Sequence, residues 1–244
     1  LRAAYAGGAD GKPLGLISTF PRQVTGTLAE RVIVPMMFYL LFGYLPFVRM
    51  RTTLEPASSA GCGQFLLCSA EAYRASGGHS AFPASMHDGI KLPRAVRKAQ
   101  HKTGLFDGTG LLSVRMYRGF GQTWRGFAKN AYEGLGSPGL LLFMTIVHLV
   151  GHIAPWMVLA AAALGADVAL PVVVCAAAAA ALTIAQRVLL AARLRHSVLG
   201  ALLHPIGVTL MTLIQWHSYL LHVSGRRSWR GRTQESDETC AATG

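Results

Sequence analysis

The sequence predicts an α+β region at the N-terminal side followed by a bundle of about three membrane helices, and three observations carry that prediction. Of the 244 residues, 52% are hydrophobic and only 14% charged, with a positive mean hydropathy, a balance outside that of ordinary soluble domains. Charge is segregated: 16 of the 23 Lys and Arg fall within residues 1–137, whereas Asp167 is the only charged side chain between 134 and 186. Before that break, glycine-marked turns separate short strand-like and helix-like runs; after it come long apolar stretches. The boundaries read from this pattern are 1–136 for the mixed region, 137–225 for the membrane helices and 226–244 for a basic and then polar tail.

Each element follows from its residues. "GKPLGLISTF" (11–20) reads as a turn and a strand. "RVIVPMMFYLLFGYLPFVRMR" (31–51) holds 17 uncharged residues between Arg31 and Arg49, interrupted by Pro35, Gly43 and Pro46. That is short for a crossing and rich in aromatics, so residues 31–48 are expected to lie at the membrane interface or in an apolar groove. "SSAGCGQFLLCSAEAYRASGGH" (58–79) reads as a glycine-marked turn, a strand at about 64–68 and a helix capped by Ser69 that stops at Gly77-Gly78. A further helix begins near Asp88 and carries Ile90, Leu92, Ala95, Val96 and Ala99, with basic residues on its other faces.

The apolar stretches 137–165, 167–195 and 198–225 are each long enough to cross a hydrocarbon core of about 30 Å, which takes roughly 20 helical residues. Pro155 is expected to kink the first. Three crossings conflict with the positive-inside rule, because they separate the basic region 1–137 from the tail "GRRSWRGR" (225–232) with its four arginines. The expectation favours a cytoplasmic tail, with one segment split, re-entrant or not a true crossing.

Several function classes recede. No signal peptide is recognisable at the start of the chain. Cys62, Cys68, Cys175 and Cys240 form no CxxC pair, against a zinc site or a disulfide framework. The net charge of +12 sits on segments flanking apolar spans, without a nucleic-acid-binding pattern, and attraction to anionic lipid accounts for it without nucleic acid. His148 and His152, spaced i, i+4, with His196, His204, His217 and His222 nearby, raise a haem or metal-binding membrane protein as an alternative. Interhelical hydrogen bonds explain them more simply.

The order "GCGQFLLCSAEAYRASGGH", "HDGIKLPRAVRKAQ", "VRMYRGFGQTWRGFAKNAYEGL", apolar spans and a closing "WRGR" resembles the second half of membrane-bound family 2 glycosyltransferases. It is similar to bacterial enzymes that glycosylate carotenoids or hopanoids and, more distantly, to ceramide glucosyltransferases, over roughly residues 10–235. The resemblance implies that residues 1–136 are the C-terminal part of a cytoplasmic nucleotide-diphospho-sugar transferase (GT-A type) domain. The chain would be an integral protein of the bacterial inner membrane. Its function would be transfer of a hexose, with inversion, from a nucleotide-sugar donor to a membrane lipid acceptor.

Residue roles follow from the same resemblance. Asp88 matches the family's general base; read from spacing alone, it is equally a helix N-cap. His87 stands where many relatives carry another acid. Gln122 and Arg125 match a Gln-x-x-Arg-Trp motif, with Gly126 replacing the Trp, and the planar fork of Arg125 suits a diphosphate; the alternative is an arginine on lipid headgroups. Gly61, Gly63, Gln64, His79 and His87 would line the active site, with a strand-entry turn and a packed histidine as the plain readings of the first four. Tyr39, Phe42 and Tyr44 would sit at headgroup level, where segments 31–51 and 137–150 admit the lipid beside Asp88.

The Asp-x-Asp motif that holds Mg or Mn in the family does not occur; "SDE" (236–238) lies in the wrong place. The metal ligands and donor site are therefore expected outside this chain, which alone would be inactive, and no metal site is expected within it. A non-catalytic membrane subunit or scaffold is the main alternative.

Overall fold

The computed structural model describes residues 13–83, 85, 87–226, 228–229 and 232–233. Cys240, the "SDE" stretch and most of the tail expected at 226–244 lie outside the described residues. The protein is mostly helical with a small mixed sheet. The described residues of Leu1–Arg22, Leu40–Val114 and Ser228–Gly244 form one compact unit, and those of Gln23–Tyr39 and Arg115–Arg227 another. Residues 23–39 and 115–136, read from the sequence with the mixed region, thus cluster with the long helices.

In the mixed unit the strand Leu16–Phe20 is central, antiparallel to Leu66–Cys68 and parallel to Thr103–Asp107. Side chains alternate along a strand, so Leu16 and Ser18 share a face. Leu16 enters a buried cluster with Ala72, Leu92 and Val96, drawn from the helices Ala70–Ala75 and Asp88–Lys98. The first of these begins as expected: Ser69 Oγ accepts the Ala72 N–H at 3.1 Å, and Gly77 beyond its end takes the left-handed conformation with φ 74°. Arg97 fastens the other helix to its surroundings. Buried, its guanidinium donates to Thr103 Oγ1 at 2.8 Å and to the carbonyls of Thr53, Glu55 and Met50, occupying acceptors that the end of the short helix Phe47–Thr52 leaves over.

The helical unit holds two helices long and apolar enough to cross a membrane, Pro138–Ala163 and Leu170–Leu194. Both carry large exposed apolar side chains, among them Phe143, Val150, Met157, Leu182 and Leu189. The buried residues of the second, Ala176, Ala180, Thr183, Arg187, Ala191 and Leu194, recur at helical spacing, so one narrow, small-residue stripe faces the protein. A π-helical turn occupies Leu149–Ile153, ending two residues before Pro155. π-turns accommodate an extra residue in a helix and concentrate at functional positions.

The third expected span is corrected. Residues 198–225 form a five-residue helix, Val198–Leu202, and a separate helix, His204–Val223, neither of which meets the length and apolarity of a crossing. Pro205 opens the second helix in the position where its missing N–H costs nothing. The buried face of that helix carries His204, Thr212, Gln215 and Ser218, a polar stripe turned to the protein.

The helix Leu28–Tyr44 holds the sequence's ambiguous apolar run, and Val32 to Met36, Phe38 and Tyr39 are buried. Its start is set by "TLAE" (27–30), a capping box: Thr27 Oγ1 accepts the Glu30 N–H, and the Glu30 carboxylate returns to the Thr27 hydroxyl and the Gly26 N–H.

Candidate active site around Asp88

Two glycines and a proline bring the candidate residues of the mixed unit together. Pro93 lies inside the helix Asp88–Lys98 and has no N–H, so the carbonyl of Gly89, four residues earlier, receives no helical partner. The Gly61 N–H takes that carbonyl at 2.7 Å, docking the Gly61–Gln64 loop on the first turn. The approach leaves no room for side chains: a Cβ on Gly89 would lie 2.7 Å from the Gly61 oxygen, and one on Gly63 would run into Asp88 Oδ1. Glycine is needed here for closeness.

Ser18 holds the loop from the sheet side. Its hydroxyl accepts the Cys62 N–H at 2.7 Å and donates to the Phe65 carbonyl at 2.8 Å, while the Phe65 N–H returns to the Cys62 carbonyl at 2.9 Å. Cys62 is buried, and its thiol lies 3.6 Å from Gln64 Oε1. Burial pushes this thiol up, the Gln64 backbone pulls against it, and the Asp88 charge raises it further. Ser18 is a member of the site that sequence reasoning missed. For Ser18 the available signal was its place two residues after a core leucine on one strand face.

Asp88 is the first residue of its helix. The N-cap position belongs to His87, whose side chain makes no capping bond, while Asp88 Oδ1 accepts the Gly89 N–H at 2.7 Å. The capping alternative is therefore half met: the carboxylate sits on a first-turn N–H from inside the helix, where a negative charge is favoured by the helix dipole, and remains part-exposed. His87 is half-buried, and its N–H donates to Ser85 Oγ at 3.1 Å. His79 is exposed on the turn Gly78–Ala81, its Nδ1 2.8 Å from the Tyr73 hydroxyl and its ring packed on Tyr73 and Phe82.

No family model, curated protein or solved structure matches this chain. The site is therefore argued from its own geometry.

Gln122 and Arg125 belong to the helical unit, on the helix Gly119–Ala128. Gln122 Oε1 accepts the Arg118 N–H at 2.9 Å, closing the start of the helix. Arg125 lines an open depression of about 280 Å³ with Phe120, Gly121 and Trp124. The Trp124 indole donates to His217 Nδ1 at 2.9 Å, so it borders this depression while fixed to the helix His204–Val223. At Gly126 any side chain would collide with the Tyr117 ring, so glycine there is set by packing. Tyr117 itself stacks edge-on against Phe127, at 5.3 Å between centroids.

Glu30 controls how this helix begins and was also missed, although its T-x-x-E spacing was visible. The carboxylate is fully buried and accepts five hydrogen bonds: from Gly26 N–H, the Thr27 hydroxyl, Arg115 Nε and Nη2 at 3.2 and 3.1 Å, and the N–H of Gly119 at 2.7 Å. Burial alone would raise its pKa, but the Arg115, Gly119, Gly26 and Thr27 bonds outweigh that and hold it at about 2.

The three aromatics expected at an acceptor opening separate. Tyr39 is buried in the helical unit with its hydroxyl 3.2 Å from His152 Nε2, so it is not a headgroup-level ring. Phe42 packs on Phe20 and Phe47 in the mixed unit, and Tyr44 is exposed. Three histidines of the helical unit bond to neighbours: His148 Nδ1 to Thr212 Oγ1 at 2.8 Å, and His204 Nε2 to His152 Nδ1 at 3.3 Å. Among the described residues no group of three or more His, Cys, Asp or Glu is arranged to hold a metal ion.

Proposed function

We propose that the chain is the C-terminal part of an inverting, membrane-bound family 2 glycosyltransferase that moves a hexose from a nucleotide-sugar donor to a membrane lipid. The observation that carries this reading is the pairing of Asp88 with the Gly61–Gln64 loop, in which backbone close enough to exclude side chains surrounds one part-exposed carboxylate. The four sequence motifs occur in the order expected for such an enzyme.

In this mechanism the Asp88 carboxylate takes the proton of the acceptor hydroxyl as that oxygen attacks the anomeric carbon. The bond from that carbon to the nucleotide diphosphate breaks, and the configuration inverts. By the resemblance, Arg125 and Gln122 would serve the departing diphosphate, a role to which the planar fork of Arg125 is suited through paired hydrogen bonds. In such an enzyme a divalent metal would be held by residues outside this chain and would supply charge neutralisation at the diphosphate.

The two apolar helices, long enough to cross a membrane, support membrane integration. No Lys or Arg falls between residues 138 and 186, so two crossings would leave only the short Asp167 loop on the far side and the flanking basic residues on the near side, the side that the positive-inside rule reads as cytoplasmic. Two crossings would also avoid the conflict that three create.

The test is Asp88→Asn in the chain joined to its natural upstream sequence, assayed with nucleotide-sugar donors and membrane lipid. Turnover should fall about 100-fold or more with the protein still folded. Undiminished turnover in folded Asp88→Asn would end the assignment.

A further inference from the structure

The helical unit buries a cation with almost nothing to pair with. Arg187 is 1% exposed. It lies on the protein-facing stripe of Leu170–Leu194, seven residues before the helix ends, or about 10 Å along the axis. An arginine near a helix end ordinarily extends its head toward the interface; this one turns inward. A guanidinium has five N–H donors, and the contacts formed here are one hydrogen bond to the Pro35 carbonyl at 3.5 Å and the face of Tyr39 at 5.6 Å. Its Nε has no hydrogen-bond partner. Among the described residues no carboxylate pairs with it: the acids of this unit are Glu30, Glu133 and Asp167, and Glu30 is taken by Arg115. A buried unpaired charge is strongly destabilising, and inside a membrane it marks a function by default.

Two histidines face the same need. His204 is 0% exposed and its Nδ1 has no partner; His196, half-buried at the turn after the helix, has none at either ring nitrogen. Both lie within electrostatic range of Arg187. Tyr39 ties the set together, its ring 4.8 Å from that of His204 and 5.6 Å below the guanidinium. A metal ion does not suit this place, because Arg187 repels cations. The missing partner is an acceptor that carries negative charge.

We propose that Arg187, His196 and His204 form an oxyanion-binding site inside the helical unit, taking a phosphate or carboxylate group. The Arg187 fork supplies paired donors and the charge, and each histidine donates through whichever nitrogen is protonated. His196 is the member nearest the surface, next to the exposed Arg193 and Arg195, which attract anions to that end of the helix. The oxyanion arrives on a lipid headgroup or free in solution. The inference stands apart from the glycosyltransferase reading and uses no catalytic residue.

The experiment uses the full chain in lipid nanodiscs of phosphatidylcholine with and without phosphatidylglycerol, followed by mass spectrometry of the lipid retained after detergent wash. A parallel arm follows thermal unfolding in sodium phosphate against sodium chloride at equal ionic strength. The wild type should retain phosphatidylglycerol over phosphatidylcholine by about tenfold, the equivalent of one charge-assisted hydrogen bond. Arg187→Leu and His204→Phe should lose that preference, and the surface control Arg193→Gln should keep it. Phosphate-specific stabilisation lost in the same two variants, without lipid preference, identifies a free oxyanion and supports the site equally. If Arg187→Leu does not fold, His204→Phe and the wild type decide. A wild type with neither preference, or variants indistinguishable from it in both arms, overturns the proposal and leaves water as the partner of Arg187.

Discussion

Glu30→Gln keeps the size of a fully buried side chain and removes its charge, and its cost can be worked from the structure. Lowering a carboxyl from its ordinary 4.5 to about 2 corresponds to about 3 kcal/mol of stabilisation. Part of that comes from Arg115, whose side chain is 34% exposed and therefore screened, which brings the expected loss to about 1–3 kcal/mol. Because the folded pKa lies below the unfolded one, this stability is fully present above the unfolded value. It is lost as pH falls from about 4.5 toward about 2. Thermal unfolding of both proteins in detergent, followed by tryptophan fluorescence from neutral pH to pH 2, should show a gap that is constant at neutral pH and closes across that acid window. The substitution also loosens the Gly119 N–H, so the start of the Gly119–Ala128 helix should exchange its amide hydrogens faster. A gap that does not change with pH, or none at neutral pH, would refute the charged-network account of Glu30.

Gly89→Ala, which in an ordinary helix gains about 1 kcal/mol, should instead destabilise by about 1–3 kcal/mol, because the new Cβ meets the Gly61 and Gly63 backbone; chemical unfolding reads the sign. Pro93→Ala restores an N–H that competes for the Gly89 carbonyl, and hydrogen exchange at Gly61 should quicken while the helix itself grows no less stable. Arg97→Met leaves the carbonyls of Met50 and Thr53 without their Arg97 donor, while Glu55 keeps the Ser58 N–H, and should cost about 2–3 kcal/mol, seen as a lower unfolding midpoint with loss of protection in residues 47–58.

The amino-acid sequence by itself determined the features whose causes are local. Ser69 followed by "AEAYRASGG" carries both a cap and a stop within eleven residues, and the helix Ala70–Ala75 uses them. Uninterrupted apolarity marked Pro138–Ala163 and Leu170–Leu194 as long enough to cross a membrane, since no neighbour is needed to make such a helix apolar. The stretch 198–225 is also long and largely apolar in sequence, yet it splits at Leu203, and the histidine, threonine and glutamine on the next helix turn to the protein. Composition does not say which way a polar stripe faces.

Tertiary structure alone decided the rest, because it depends on which distant groups fill local vacancies in hydrogen bonding. Pro93 frees the Gly89 carbonyl locally, but only the fold brings Gly61 to accept the role and so sets the loop beside Asp88. Tyr39 looked in sequence like an interfacial aromatic; His152, more than a hundred residues away, draws it inside. In sequence Arg187 is simply one of three arginines, with Arg193 and Arg195, near the end of an apolar stretch, and the small residues on either side of it along the stripe let it be buried. Whether a charge faces water, lipid or a partner is set by packing between segments, and a linear pattern of charges contains no record of that packing.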